Sequence, residues 1–104
     1  MINRRIIEIQ NEIEFILLDL LEGVRLSGKP NTEVLSSFYS LLDELKKVIQ
    51  GEEYIPRKLT GVLFHIYTMF SAASEHAMYN EMIFIETARL ETYLDEIFWE
   101  SPWK

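Results

Sequence analysis

The chain has 104 residues and a formal net charge of −7, with 10 Lys and Arg against 17 Asp and Glu. Hydrophobic residues make up 48% of it, enough for one core and too many for a disordered chain. This length fits one domain, so we expect residues 1–104 to form a single helical domain. The acidity disfavours nucleic-acid binding, because phosphates would be repelled, and it favours a basic partner.

The sequence predicts a cytoplasmic protein without a membrane span. It contains no cysteine, which excludes disulfides, thiolate nucleophiles and thiolate metal sites. Acids at Glu8, Glu12 and Glu14 interrupt the apolar residues near the N-terminus, so we expect no signal segment. The longest mainly apolar stretch, 62–73, covers about 12 residues, short of the ~20 that a bilayer crossing needs.

Apolar residues recur at three- and four-residue spacing in the first segment, which predicts a helix from about residue 3 to residue 22. Its predicted core stripe consists of Ile6, Ile9, Ile13, Ile16 (or Leu17) and Leu20. Gly23 permits a left-handed stop. Because residues 23–30 hold two glycines and a proline, we expect a loop there.

The second predicted helix begins at Asn31 or Thr32, which are both good N-caps, with Glu33 favourable to the helix dipole. Gly51 follows its last turn as a stop signal. The predicted core stripe consists of Leu35, Phe38, Leu42, Leu45 and Ile49.

Pro56 suits the first turn of a third helix, which is apolar nearly all round and is therefore expected at the centre or at an interface. Residues 71–74 interrupt it weakly, and a last helix follows from about residue 75 to residue 99. The sequence therefore predicts an all-α fold, a compact bundle of four main helices with short loops.

The sequence lacks a recognisable catalytic set. Residues 23–29 match the glycine and lysine spacing of a phosphate-binding loop, but Pro30 replaces the hydroxyl residue that holds Mg²⁺. His65 and His76 would lie ~16 Å apart on one unbroken helix, too far for one metal. We expect both to be partly buried structural residues. The prediction is no metal, no cofactor and no enzymatic activity, although an enzyme using these histidines and Glu86 remains an alternative.

Acidic residues concentrate in the last third of the chain, where seven acids and two bases give five of the seven net negative charges. At 100° per residue, one side of the last helix forms a predicted core face of Ile83, Leu90, Leu94 and Ile97. The opposite half, which also includes Met78, holds the predicted partner-binding residues Glu81, Ile85, Glu91, Asp95, Glu96 and Trp99. Carboxylates around an aromatic anchor are typical of a hot spot for a basic partner, and a plain solvated face fits equally.

Glu86 and the aromatic C-terminal segment also give rise to predictions about this region. Glu86 projects near the core face, where we expect a structural ion pair with Arg89, Arg57 or Lys58. The aromatic C-terminal segment, residues 98–104, either folds back over the bundle, which we favour, or docks a partner.

The small size, acidity, absence of cysteine and helical pattern together resemble those of bacterial immunity proteins of the colicin-nuclease and contact-dependent-inhibition systems. The resemblance covers the whole chain at the level of class and includes no family motif, so it transfers no functional residue by position. It implies a cytosolic inhibitor that binds a basic toxin, a nuclease domain, with carboxylates and aromatic residues. Residues 54–56, which precede the apolar third helix, are also similar to helical bacteriocin-immunity proteins.

The second hypothesis from the sequence is a structural or regulatory helical module that forms a homodimer. Its motives are the apolar third helix and the outward-facing Met78, Ile85 and Trp99.

Overall fold

The structure is a computed structural model and describes residues 3–27, 29–78 and 81–99. These residues form four α-helices. They are α1 (Arg4–Ser27), α2 (Thr32–Val48), α3 (Arg57–Ser74) and α4 (Met82–Phe98). The predicted all-α bundle of four helices is confirmed. None of the described helices is long and apolar enough to cross a lipid bilayer.

The helices form a ring of neighbours in which α1 packs along α2 and α3, and α4 packs along α3. A shorter contact between α4 and α2 completes the ring. The inner faces share one core, which follows the predicted stripes because burial of apolar surface selects one side of each helix. Its fully buried members include Ile9, Ile13, Leu20, Phe38, Leu42, Leu45, Leu59, Leu63, Ile66, Phe70 and Leu90.

The predicted end of α1 at Gly23 is wrong, because the helix continues to Ser27 and its core stripe extends to Val24. Gly23 does not adopt a left-handed conformation. Instead, the chain returns across it after the helix. A Cβ atom at Gly23 would lie 2.6 Å from the carbonyl oxygen of Lys29, whose own N–H donates to the Gly23 carbonyl at 3.3 Å. Glycine is needed here for a close approach of backbone.

The predicted boundaries of α2 are confirmed. The Asn31 side chain is the N-cap, and its Oδ1 accepts the backbone N–H groups of Glu33 at 2.9 Å and Val34 at 3.2 Å. These bonds satisfy donors that the first helical turn leaves free. After α2, Gly51 has φ of 81°, a conformation that favours glycine, as the stop signal predicted.

The predicted start of the last helix at residue 75 is wrong. α3 ends at Ser74, and α4 begins only at Met82. The Ser74 hydroxyl donates to the carbonyl of Ser71 at 2.8 Å, so a local side-chain bond accompanies the end of α3. Met78 consequently lies in the connection between α3 and α4.

Candidate functional site

The predicted core face of α4 is confirmed: Ile83, Leu90 and Ile97 are buried, and Leu94 is half-buried. The opposite side is in solvent. We call this surface the α4 outer face, and all six predicted partner-binding residues on it are exposed, namely Glu81, Ile85, Glu91, Asp95, Glu96 and Trp99. The two large apolar members, Ile85 and Trp99, are 54% and 62% exposed.

The α4 outer face has two ends. Ile85 and Trp99 are fourteen residues apart, about 21 Å along a helix, so they do not form one cluster. Glu81 lies beside Ile85 at the N-terminal end, where it occupies the N-cap position. Asp95 and Glu96 lie one turn from Trp99 at the C-terminal end. A partner would have to lie along the helix to contact both ends.

The C-terminal end faces a groove of about 580 Å³ between α4 and the loop that joins α2 to α3. Glu52 and Glu53 of this loop line the groove opposite Phe98 and Trp99. The loop also exposes Tyr54. Sequence reasoning missed these loop residues and Phe98, although two consecutive acids before an aromatic residue were a visible signal. The tertiary fold adds their charge to that of α4.

Two carboxylates of the α4 outer face contact neighbouring helices. Lys46 Nζ of α2 donates to Glu96 Oε2 at 2.7 Å, and this bond raises the pKa of Lys46. The Tyr67 hydroxyl of α3 donates to Glu91 Oε1 at 2.6 Å, which raises the pKa of Tyr67.

Glu81 and Asp95 differ from these two, since their side chains make no ion pair or hydrogen bond with the described part of the chain. They are therefore the carboxylates of the α4 outer face that a partner can engage without breaking an existing contact.

Aromatic and charged side chains hold α4 against α2. The rings of Tyr39 and Tyr93 lie 4.8 Å apart between centroids, and Arg89 lies 4.0 Å from the centre of the Tyr39 ring. The Tyr93 hydroxyl donates to Asp43 Oδ1 at 2.9 Å. Burial, with the nearby charge of Glu86, raises the pKa of Tyr39. These contacts help to hold α4 at the rotation that its buried residues Ile83, Leu90 and Ile97 require.

Glu86 lies near the core face, as predicted, with its side chain only 13% exposed. Its ion-pair partner is Arg89, at 3.7 Å between Nη1 and Oε2. Lys58, another predicted partner, instead pairs with Glu14 of α1 at 3.4 Å. The Tyr39 hydroxyl donates to the backbone carbonyl of Glu86 at 3.1 Å, so this residue also helps to join α4 to α2.

The structure differs from the expectation for the two histidines, because His65 and His76 are both exposed. Among residues 3–27, 29–78 and 81–99, no group of three or more His, Asp or Glu side chains could hold a metal ion. The predicted loop over residues 23–30 is helical as far as Ser27. The predictions for the tail beyond Trp99 fall on residues 100–104, outside the described part of the chain.

Comparisons of this chain with protein-family models, with curated proteins and with solved structures gave no match. A function must therefore be argued from the surface chemistry of the molecule.

Proposed function

We propose that this protein is an immunity-type inhibitor that binds a basic protein toxin, such as a nuclease domain, through the α4 outer face. The observation that carries the proposal is the exposed Trp99, which lines one groove together with Glu96 of α4 and with Glu52 and Glu53 of the neighbouring loop. Asp95 lies one helical turn before Trp99 on α4. Tryptophan is among the residues most enriched in binding hot spots. A tryptophan side chain contributes most to the binding free energy where the partner excludes water from it.

The charge around Trp99 indicates the chemistry of the partner. Lysine and arginine side chains would be attracted by the free carboxylate of Asp95 and by Glu52 and Glu53 of the groove. The third acid of the groove, Glu96, is paired with Lys46, which also lines it. A guanidinium can also stack on the indole ring, a contact worth roughly 0.5–2 kcal/mol according to its exposure. Such a surface accelerates association with a basic protein, and raising the salt concentration slows it.

The mode of action in this proposal is occupation of the toxin surface, without catalysis. An immunity protein binds its toxin inside the cell that makes the immunity protein, whether the toxin is made there or enters from another cell. A cytoplasmic location in a bacterium therefore forms part of the proposal.

The test begins with the genes that neighbour the gene of this chain, where the proposal predicts a secreted protein with a basic C-terminal domain. Binding to that domain is measured by calorimetry, together with rescue of growth in cells that produce it. We expect the unaltered chain to bind and to restore growth. Trp99→Ala and Asp95→Lys should each weaken binding by about tenfold or more, the effect of removing a hot-spot contact or reversing a charge.

The matched controls make the same chemical changes on α1, where Phe15 and Asp19 are exposed. Phe15→Ala and Asp19→Lys should leave toxin binding unchanged. Equal losses for the control and test variants would show that the α4 outer face is not the contact surface. Absence of both binding and growth rescue would refute the inhibitor proposal itself.

The homodimer hypothesis loses one of its two motives. Most apolar side chains of α3 are used inside the molecule, because α3 lies between α1 and α4 and contributes Leu59, Leu63, Ile66 and Phe70 to the core. Phe64 is the exception, since it is 67% exposed. Its composition therefore does not require a second chain. The other motive, the exposed Met78, Ile85 and Trp99, is unaffected.

A further inference from the structure

The groove beside Trp99 has an apolar floor. Ile49 and Ile97 line it and are each 6% exposed, and the half-buried Ile55 of the loop between α2 and α3 lines it as well. One turn of an α-helix about 10 Å wide and about 5.4 Å high occupies roughly 400 Å³. Because the groove measures about 580 Å³, it fits a few side chains of a partner and not one of its helices.

Backbone hydrogen bonds hold the two sides of this groove. On the loop side the chain turns at Gly51, where φ is 81°, and the Glu52 N–H donates to the Ile49 carbonyl at 3.0 Å. On the other side α4 ends where the Trp99 N–H donates to the Asp95 carbonyl at 2.9 Å. A surface whose backbone is already ordered loses less conformational entropy when a partner binds.

Two acids of the lining are available to a partner. Glu96 is paired with Lys46, which lines the groove with it, at 2.7 Å. Glu52 and Glu53 make no ion pair with any residue that the structure describes. Lys47, the next lysine of α2, lines a neighbouring groove. Two unpaired carboxylates beside an apolar floor complement a side chain that has a long alkyl part and a cationic head.

We propose that this groove binds one arginine side chain of the toxin, an inference that rests on the inhibitor function proposed above. The alkyl part of the arginine lies over Ile49 and Ile97. Its guanidinium lies between the indole ring of Trp99 and the carboxylates of Glu52 and Glu53. Arginine fits this site better than lysine, because its planar head stacks on an aromatic ring and donates two parallel hydrogen bonds to a carboxylate. A lysine ammonium is a more strongly hydrated point charge.

The first test needs no toxin. The probe is N-acetyl-arginine N-methylamide, titrated into the full chain and followed by amide and indole NMR signals. The same derivatives of lysine and of citrulline, the neutral isostere of arginine, are the comparisons. We expect a dissociation constant in the millimolar range for arginine, with shifts at Trp99, Glu52 and Glu53, and values at least about fivefold higher for the other two probes. Trp103→Phe removes the other tryptophan and so assigns the Trp99 indole signal.

Substitutions separate the contributions of charge and of the aromatic ring. Glu53→Gln should weaken arginine binding about threefold, whereas Glu75→Gln, at an exposed acid that follows α3, should leave it unchanged. Trp99→Leu keeps an apolar side chain but removes the ring, so the preference for arginine over lysine should be lost. Phe64→Leu is the matched control, at an exposed aromatic residue of α3, and should leave that preference unchanged. Circular dichroism melts of each variant check that the fold is retained.

The outcomes distinguish this inference from the inhibitor function. Equal affinity for arginine and citrulline, equal affinity for arginine and lysine, or no shift around Trp99 would each overturn the arginine site. If the toxin binds the unaltered chain and Glu53→Gln equally well, the inhibitor function stands and this groove is not its arginine contact. If the arginine probe binds selectively but neither toxin binding nor growth rescue is found, the arginine site stands and the inhibitor function fails.

Discussion

Gly23 lies inside α1, where alanine would ordinarily be the better residue by about 0.8–1 kcal/mol, because it loses less conformational entropy in a helix. Tertiary packing reverses this preference at Gly23. The Cβ of an alanine would stand 2.6 Å from the Lys29 carbonyl oxygen and 3.3 Å from the backbone nitrogen of Asn31. Both are backbone atoms, so neither can move aside as a flexible side chain would.

The net effect of Gly23→Ala follows from these opposed contributions. Forcing an extra methyl group into a closed contact costs roughly 1–3 kcal/mol. Part of this is offset by the gain in helix propensity, about 0.8–1 kcal/mol. We expect a net loss of roughly 1 kcal/mol in the free energy of unfolding, which lowers the melting temperature by about 4–8 °C for a domain of this size.

Gly61 provides a matched control, because it is also a helical glycine but has no atom within 4 Å of the position of an added Cβ. Gly61→Ala should therefore raise the free energy of unfolding by about 0.5–1 kcal/mol. The assay is urea unfolding followed by circular dichroism, with the slope m compared between variants so that a change in midpoint reports stability. If Gly23→Ala stabilised the protein as much as Gly61→Ala, the close approach would not exist.

Two further predictions concern the N-cap of α2 and the tyrosine between α2 and α4. Asn31→Ala removes the acceptor of two backbone N–H groups and should lower the free energy of unfolding by about 1 kcal/mol in the same urea assay. Asn31→Asp keeps the acceptor and should change the free energy of unfolding little. Equal values for the two variants would contradict the role of Asn31 as N-cap. Burial raises the pKa of Tyr39 above the ordinary tyrosine value of about 10, so above that pH the unfolded chain releases this proton more readily and the free energy of unfolding should fall. Tyr39→Phe should reduce this fall, measured from pH 9 to pH 11, about one pH unit either side of the ordinary tyrosine pKa. An unchanged slope of the free energy of unfolding against pH would refute the raised pKa of Tyr39.

Local sequence signals predicted much of this fold. The helical spacing of apolar residues indicated the buried side of α1, α2 and α4, because that spacing is the same whichever helix packs against it. For α3, which is apolar nearly all round, it indicated no single side. The Asn31 cap and the Gly51 stop act within a few residues of themselves, and both were predicted correctly. The exposed side of α4 follows from the same periodicity.

Predictions failed where the role or the exposure of a residue depends on contacts with parts of the chain outside its own helical turn. Gly23 looked like a helix stop, but its role depends on where the backbone of Lys29 returns. His65 and His76 were expected to be partly buried, and their exposure depends on how far neighbouring helices reach.

The sequence by itself determined that this protein is an acidic helical bundle with an acidic outer side on its last helix, since composition sets the charge and helical periodicity sets which residues share a side. Only the tertiary structure decided which surfaces are shared. It placed Glu52 and Glu53 in the same groove as Trp99, and it formed a second groove between α1 and α3. Residues that are distant along the chain become neighbours only through the packing of the helices around the core, so their positions in the sequence do not predict these grooves.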